Sequence, residues 1–126
     1  MEKRLFCVRG ATCAENNRDS IQANVCEMVN SLVEKNCLKT EDIVSFQFTI
    51  TPDLDVMNPA TALRLGKCNV KSSSIPLFCS AEPVIKGMLP RVVRIMITAY
   101  ADEGSVMKSV YIHGAEALRP DLSSRQ

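Results

Sequence analysis

Residues 91–100 are almost wholly β-branched or apolar, which predicts a strand rather than a helix. With a period of two, Arg91, Val93, Ile95, Ile97 and Ala99 point one way, and Val92, Arg94, Met96, Thr98 and Tyr100 the other. Arg94 therefore stands between Val92 and Met96 on a face that otherwise reads as buried. A second clear alternation covers 43–51, with Ile43, Ser45, Gln47 and Thr49 opposing Val44, Phe46, Phe48 and Ile50; Thr51, Pro52 and Asp53 end it. A helical period governs 21–33, where Ile21, Val25, Met28, Val29, Leu32 and Val33 form one stripe behind the N-cap candidates of 15–19. Weaker signals fill the rest. Residues 3–7 predict a strand running into a turn at Gly10, with Arg9 at the strand's end. Residues 36–42 form a turn that closes on one helical turn, 40–42. Asn58 and Pro59 open a short helix that Gly66 stops. Residues 75–79 predict a short edge strand because of Pro76, 84–89 a helical turn broken by Gly87, and 106–113 a last strand. Beyond it, 113–126 has no period and reads as a flexible tail.

Strand, long helix, strand, short helix and then two or three strands describe an α+β fold, one mixed sheet packed by one long and one shorter helix. One amphipathic helix cannot cover both faces of such a sheet. Phe46, Phe48, Val92 and Met96 are then left to a second subunit, so an oligomer is expected.

The length of 126 residues fits a single domain, 1–126. Fifteen basic against fourteen acidic residues give a net charge of +1, so no bulk field recruits nucleic acid or an anionic membrane. Aromatics at 5% with no Trp give no stacking platform for single strands, and no apolar run reaches membrane-spanning length. Arg9 interrupts the N-terminal apolar stretch too soon for a signal peptide. The six cysteines, at 7, 13, 26, 37, 68 and 79, lack a CxxC spacing and have one histidine for company, which argues against zinc. Reduced thiols and a cytoplasmic location are the expectation.

The chemistry on offer is narrow. His113 is the sole histidine and lies in a predicted strand, so no nucleophile–base pair is built around it. The five glycines form neither a GxGxxG nor a P-loop. What remains is a set of arginines (Arg9, Arg64, Arg94, Arg119) with Glu82, Cys79 and Tyr111. Fork-shaped donors of this kind suit a small polyanion. An arginine cannot shed its proton, so a sequestered Arg94 needs several acceptors or an anion, the latter a structural carboxylate or a ligand.

Several stretches carry a resemblance. They are 8–12 (Val-Arg-Gly-Ala-Thr), 51–54 (Thr-Pro-Asp-Leu), Pro59 to Arg64 (Pro-Ala-x-Ala-x-Arg), Cys79 with Glu82, 94–98 (Arg-Ile-Met-Ile-Thr), Val110 with Tyr111, and 118–122 (Leu-Arg-Pro-Asp-Leu). Together, in order and over about 3–122, they resemble the AroH-type monofunctional chorismate mutases. That resemblance implies a homotrimer forming a pseudo-α/β barrel, with active sites in clefts between subunits. It implies the Claisen rearrangement of chorismate, a dicarboxylate, to prephenate in aromatic amino acid biosynthesis by the shikimate pathway, with no cofactor, no metal and no covalent intermediate. By motif, Arg94 would donate to the ether oxygen and to a carboxylate. Glu82 would take the ring hydroxyl, with Cys79 nearby. Arg9 and Tyr111 would hold carboxylates and Phe78 would form wall. Arg64, Leu118 and Arg119 would close the mouth. Asn58, Thr61 and Phe78 depart from the residue types usual at those positions. Two rivals carry the same arginines: a trimeric module that binds an aromatic-pathway acid without turnover, and a scaffold in which Arg94 pairs with a structural carboxylate.

Overall fold

The computed structural model describes residues 2–123. Five strands, β1 (Lys3–Cys13), β2 (Ile43–Ile50), β3 (Leu77–Ala81), β4 (Val92–Asp102) and β5 (Val110–Ile112), form one mixed sheet in the order β3-β2-β4-β1-β5. Helices α1 (Arg18–Lys35) and α2 (Pro59–Leu65) follow β1 and β2, and a single turn, α3 (Pro120–Ser123), ends the described chain. β4 runs antiparallel to both β1 and β2, while β3 pairs parallel with β2 and β5 parallel with β1. A parallel neighbour needs a crossover. The segment that carries α2 supplies the crossover from β2 to β3, α1 carries the chain from β1 to β2 on the far side of β4, and β5 reaches β1 from β4 through residues 103–109.

α1 forms where the helical period placed it. Asn17 caps it by accepting from the Ser20 N–H, and the whole predicted stripe is buried. That stripe meets Val8, Phe46, Phe48, Val93, Ile95, Ile97 and Val110 in one apolar core. Burying a side chain such as Phe46 or Leu32 contributes about 1.5–3 kcal/mol. α2 opens at Asn58, whose side chain accepts from the Ala60 N–H, has Pro59 at its start and ends at Gly66.

Several expectations need correction. Gly10 is no turn, because β1 continues through it to Cys13. A Cβ there would stand 2.8 Å from the Val110 carbonyl oxygen and 2.9 Å from Leu32 Cδ1, so glycine lets α1 and β5 close onto the strand. Residues 84–89 hold no helix; a β-turn with Gly87 at φ +83 crosses there. The last strand is three residues long.

The face assignment also changes. Phe46 and Phe48 lie under the helices, not on an open face, because their register partners are Ile97 and Ile95. A β-bulge between Ile43 and Ser45 returns Ile43 to the same side. The face carrying Arg94 is the one the helices leave open. There Val92 is covered by Leu118, Leu122 and Ala115 of the C-terminal segment, together with Ala11 and Tyr111. Residues 115–118 make a 3₁₀ turn ahead of α3. Of the segment expected to be a flexible tail, 124–126 lie outside the described residues.

Candidate active site

The sheet's register, not the sequence order, assembles the site. Ser80, Thr49, Arg94, Ala11 and Tyr111 form one row across all five strands on the open face. The adjacent row is Phe78, Gln47, Met96 and Arg9. Residues opposite each other in neighbouring strands lie about 4.5–5.5 Å apart. Residues more than eighty positions apart in the chain thus become neighbours.

Glu82 reaches the row from just beyond β3. Its backbone N–H donates to the Ile50 carbonyl at 2.9 Å, which extends the β3–β2 pairing by one step. Its side chain accepts a short hydrogen bond from the Thr49 hydroxyl at Oε1. The same oxygen pairs with Arg94 Nε at 3.3 Å. Oε2 of Glu82 and both Nη groups of Arg94 take no partner among the described residues. The Arg94 side chain keeps 48% of its surface exposed, against 15% for Glu82. Arg94 is therefore steadied through Nε while its fork faces outward. That answers the anion question only in part, since one edge of the guanidinium is neutralised and the other is not.

Arg9, Gln47, Glu82, Arg94, Met96 and Tyr111 line a hollow of about 280 Å³. A second hollow of similar volume shares Glu82 and Arg94 and is bordered by Thr51, the 83–89 loop and Leu118. Thr51 explains part of the 51–54 motif. It is buried, donates to Asp53 Oδ1 at 2.6 Å and accepts from the Val92 N–H at 2.9 Å, while Asp53 accepts from the Arg91 N–H. The end of β2 is thereby stapled to the start of β4, two residues before Arg94.

Among the expected site residues, Arg9, Glu82, Arg94 and Tyr111 come together, with Leu118 at the edge of the second hollow. Phe78 sits in the next row, on the free edge strand, 66% exposed. Arg119 is clasped to Asp121, Nη2 to Oδ2 at 2.8 Å and Nε to Oδ1 at 3.1 Å. Two residues stand apart. Cys79 pairs in register with Phe48, so its side chain packs against the core on the helix side of the sheet. Burial pushes its thiol above the ordinary value, which keeps it protonated. Arg64 lies on α2, in the helix layer, and donates to the Thr61 hydroxyl. Sequence reasoning missed Thr49 and Gln47. The alternation put them opposite Phe46 and Phe48, which were assigned to the uncovered face, and only the register shows that the open face is theirs and places them beside Arg94.

The fold and this arginine-lined, carboxylate-braced hollow define the class: the chain belongs to the chorismate mutase type I family, whose profile matches residues 5–122. It is 32% identical over 119 residues to chorismate mutase AroH of Bacillus subtilis (strain 168), covering 92% of this chain and 91% of that one. It is also 32% identical over 122 residues to chorismate mutase AroH of Thermus thermophilus, covering 94% and 97%. The solved structure of a chorismate mutase from Clostridium thermocellum superposes with a TM-score of 0.78 at 34% identity, over 89% of this chain and 98% of that one. The chain is an isomerase, a chorismate mutase.

Proposed function

We propose that the chain rearranges chorismate to prephenate in the hollow around Arg94, by holding the substrate in its reactive shape and stabilising charge on the breaking ether bond. The single observation that carries this is the fork of Arg94. It is fixed through Nε by Glu82 and left open at both Nη groups, on the exposed face that also carries Arg9 and Tyr111.

In this reading the two carboxylates of the substrate are drawn by Arg9, Tyr111 and one arm of Arg94. The ring hydroxyl donates to the open Oε2 of Glu82, whose charge also faces the electron-poor ring fragment. As the C–O bond breaks, negative charge grows on the ether oxygen and an Arg94 N–H meets it. No proton is transferred and no bond to the protein forms. An acceleration of ~10⁶ requires about 8 kcal/mol. Conformational restriction and one charged donor worth roughly 3–4 kcal/mol are sufficient. Cys79 can take part through its main chain only. The even-numbered residues of β3 bond to β2, so its N–H and carbonyl point off the free edge.

The active assembly is proposed to be a homotrimer of single-domain chains, 1–126, closing a pseudo-α/β barrel with the hollow at each subunit border. Leu5, Met96 and Tyr100 are exposed on the same open face, and the edge strand β3 brings Phe78 to it. Arg64, remote from its own chain's hollow, and Arg119 would then close the mouth of the site. The six free cysteines favour a reducing, cytoplasmic setting. Incubating the purified protein with chorismate and following loss of its diene absorbance tests the reading. Binding without turnover would favour the non-catalytic module, and neither would favour the scaffold role that the Arg94–Glu82 pair allows.

A further inference from the structure

The two hollows share Glu82 and Arg94 in their walls, so they adjoin as two lobes with Arg94 between them. One lobe holds Arg9 and Tyr111. The other holds a cation that the mechanism above leaves unused, Lys86. Lys86 occupies the second position of the turn over 85–88, closed by the Met88 N–H donating to the Ile85 carbonyl at 3.0 Å. Gly87, at φ +83, takes the third position, where a left-handed residue is required. Pro83 and Pro90 limit the loop on both sides.

Charge balance decides what Lys86 does there. Arg9 and Arg94 contribute two positive charges to the cleft and Glu82 one negative, leaving +1 against a substrate that carries −2. Lys86 brings the cleft to +2. It makes no ion pair among the described residues, whereas Arg119 already faces Asp121. Among the residues that line the second lobe, Lys86 is the cation besides Arg94, placed to meet an anion with carboxylates at both ends laid across Arg94.

Resting on the mutase reading, we propose that Lys86 is a substrate-binding residue that holds the carboxylate on the far side of Arg94 from Arg9. A compact ammonium on a turn can follow a carboxylate without the fixed fork an arginine needs. Its contribution is to capture and orientation, and it touches no breaking bond.

The test is steady-state turnover of chorismate by the full-length protein and its Lys86→Gln, Lys86→Glu and Lys86→Arg variants. Loss of a charged contact of this kind raises KM by about tenfold in Lys86→Gln, with kcat falling less than about threefold. Lys86→Glu is weaker still, and Lys86→Arg returns KM to within about threefold of the parent. Added salt should raise the parent's KM more than that of Lys86→Gln. A Lys86→Gln enzyme with the parent's KM and salt response overturns the proposal. Because Lys86 is exposed, unchanged circular dichroism and Tm separate this from misfolding. The parent's own turnover is read in the same experiment: its absence sinks the mutase reading, whereas a parent that turns over beside indifferent variants sinks only the role of Lys86.

Discussion

Arg94 illustrates what one residue's surroundings decide. Glu82 holds it by Nε alone, and a lysine at the same place keeps the charge but loses the two outward donors. Arg94→Lys should therefore fold normally and lose at least about a hundredfold in kcat, the range seen when a donor to a developing oxyanion is removed. Near-parental kcat measured with chorismate would refute the role. A second expectation concerns pH. Because no proton moves in the chemical step, kcat should stay level between about pH 5 and about pH 9, and a bell centred near neutrality would contradict the mechanism. At low pH the clasp beside the site matters. Arg119 holds the Asp121 carboxyl below its ordinary 3.8. The clasp is then fully present above that value and is lost only as pH falls below it, so KM should rise there first. At this scale the sequence was informative about residue type and poor about direction. An arginine flanked by Val92 and Met96 signalled a need for an anion. Whether its face was covered depended on where α1 packs, which no local pattern encodes.

Elements were legible in proportion to their local signal. α1 combines a six-residue apolar stripe with an N-cap, and α2 an Asn-Pro start with a Gly stop, so both were readable without the fold. β1 was cut short in the reading because Gly10 looks like a turn. Its reason is tertiary, the approach of the Val110 carbonyl and Leu32, and neither can be seen from residues 3–13. β5 was read too long because alternation persists through 106–109, yet only 110–112 pair with β1. The glycine gives a sharp test. In Gly10→Ala the new methyl collides with a backbone oxygen as well as a flexible leucine tip, so full relaxation requires β5 to move. Overpacking of this kind destabilises by about 1–3 kcal/mol. Thermal or urea unfolding should show the loss. Turnover should fall too, since β5 carries Tyr111; a variant with the parent's Tm would mean that β5 is not held as tightly as its register suggests.

At the scale of the whole molecule, the sheet has one face under two helices and one face carrying the chemistry. The open face is partly covered by the C-terminal segment around Val92, but Leu5, Met96 and Tyr100 remain 47%, 40% and 46% exposed. Both sheet edges are short strands, and β3 presents unpaired backbone groups beside Phe78. Exposed apolar side chains contiguous with a polar cleft are the surface that the proposed trimer would cover. The expectation of a partner came from counting helices, and of the four residues assigned to it Phe46 and Phe48 are core, Val92 is covered by the C-terminal segment and Met96 alone stays exposed. Met96 is the useful probe, because it stands opposite Arg9 and Gln47 in the row next to Arg94 and has solvent over it within one chain. Met96→Glu should leave the isolated chain's core intact while setting a charge on the apolar face that the proposed trimer would bury. Analytical ultracentrifugation should then show the parent near three times 13.9 kDa and the variant shifted toward monomer, with turnover lost in step. A parent that sediments as an active monomer would remove the need for a subunit border. The site would then be the single-chain cleft between Arg9 and Lys86, with Arg64 outside the chemistry.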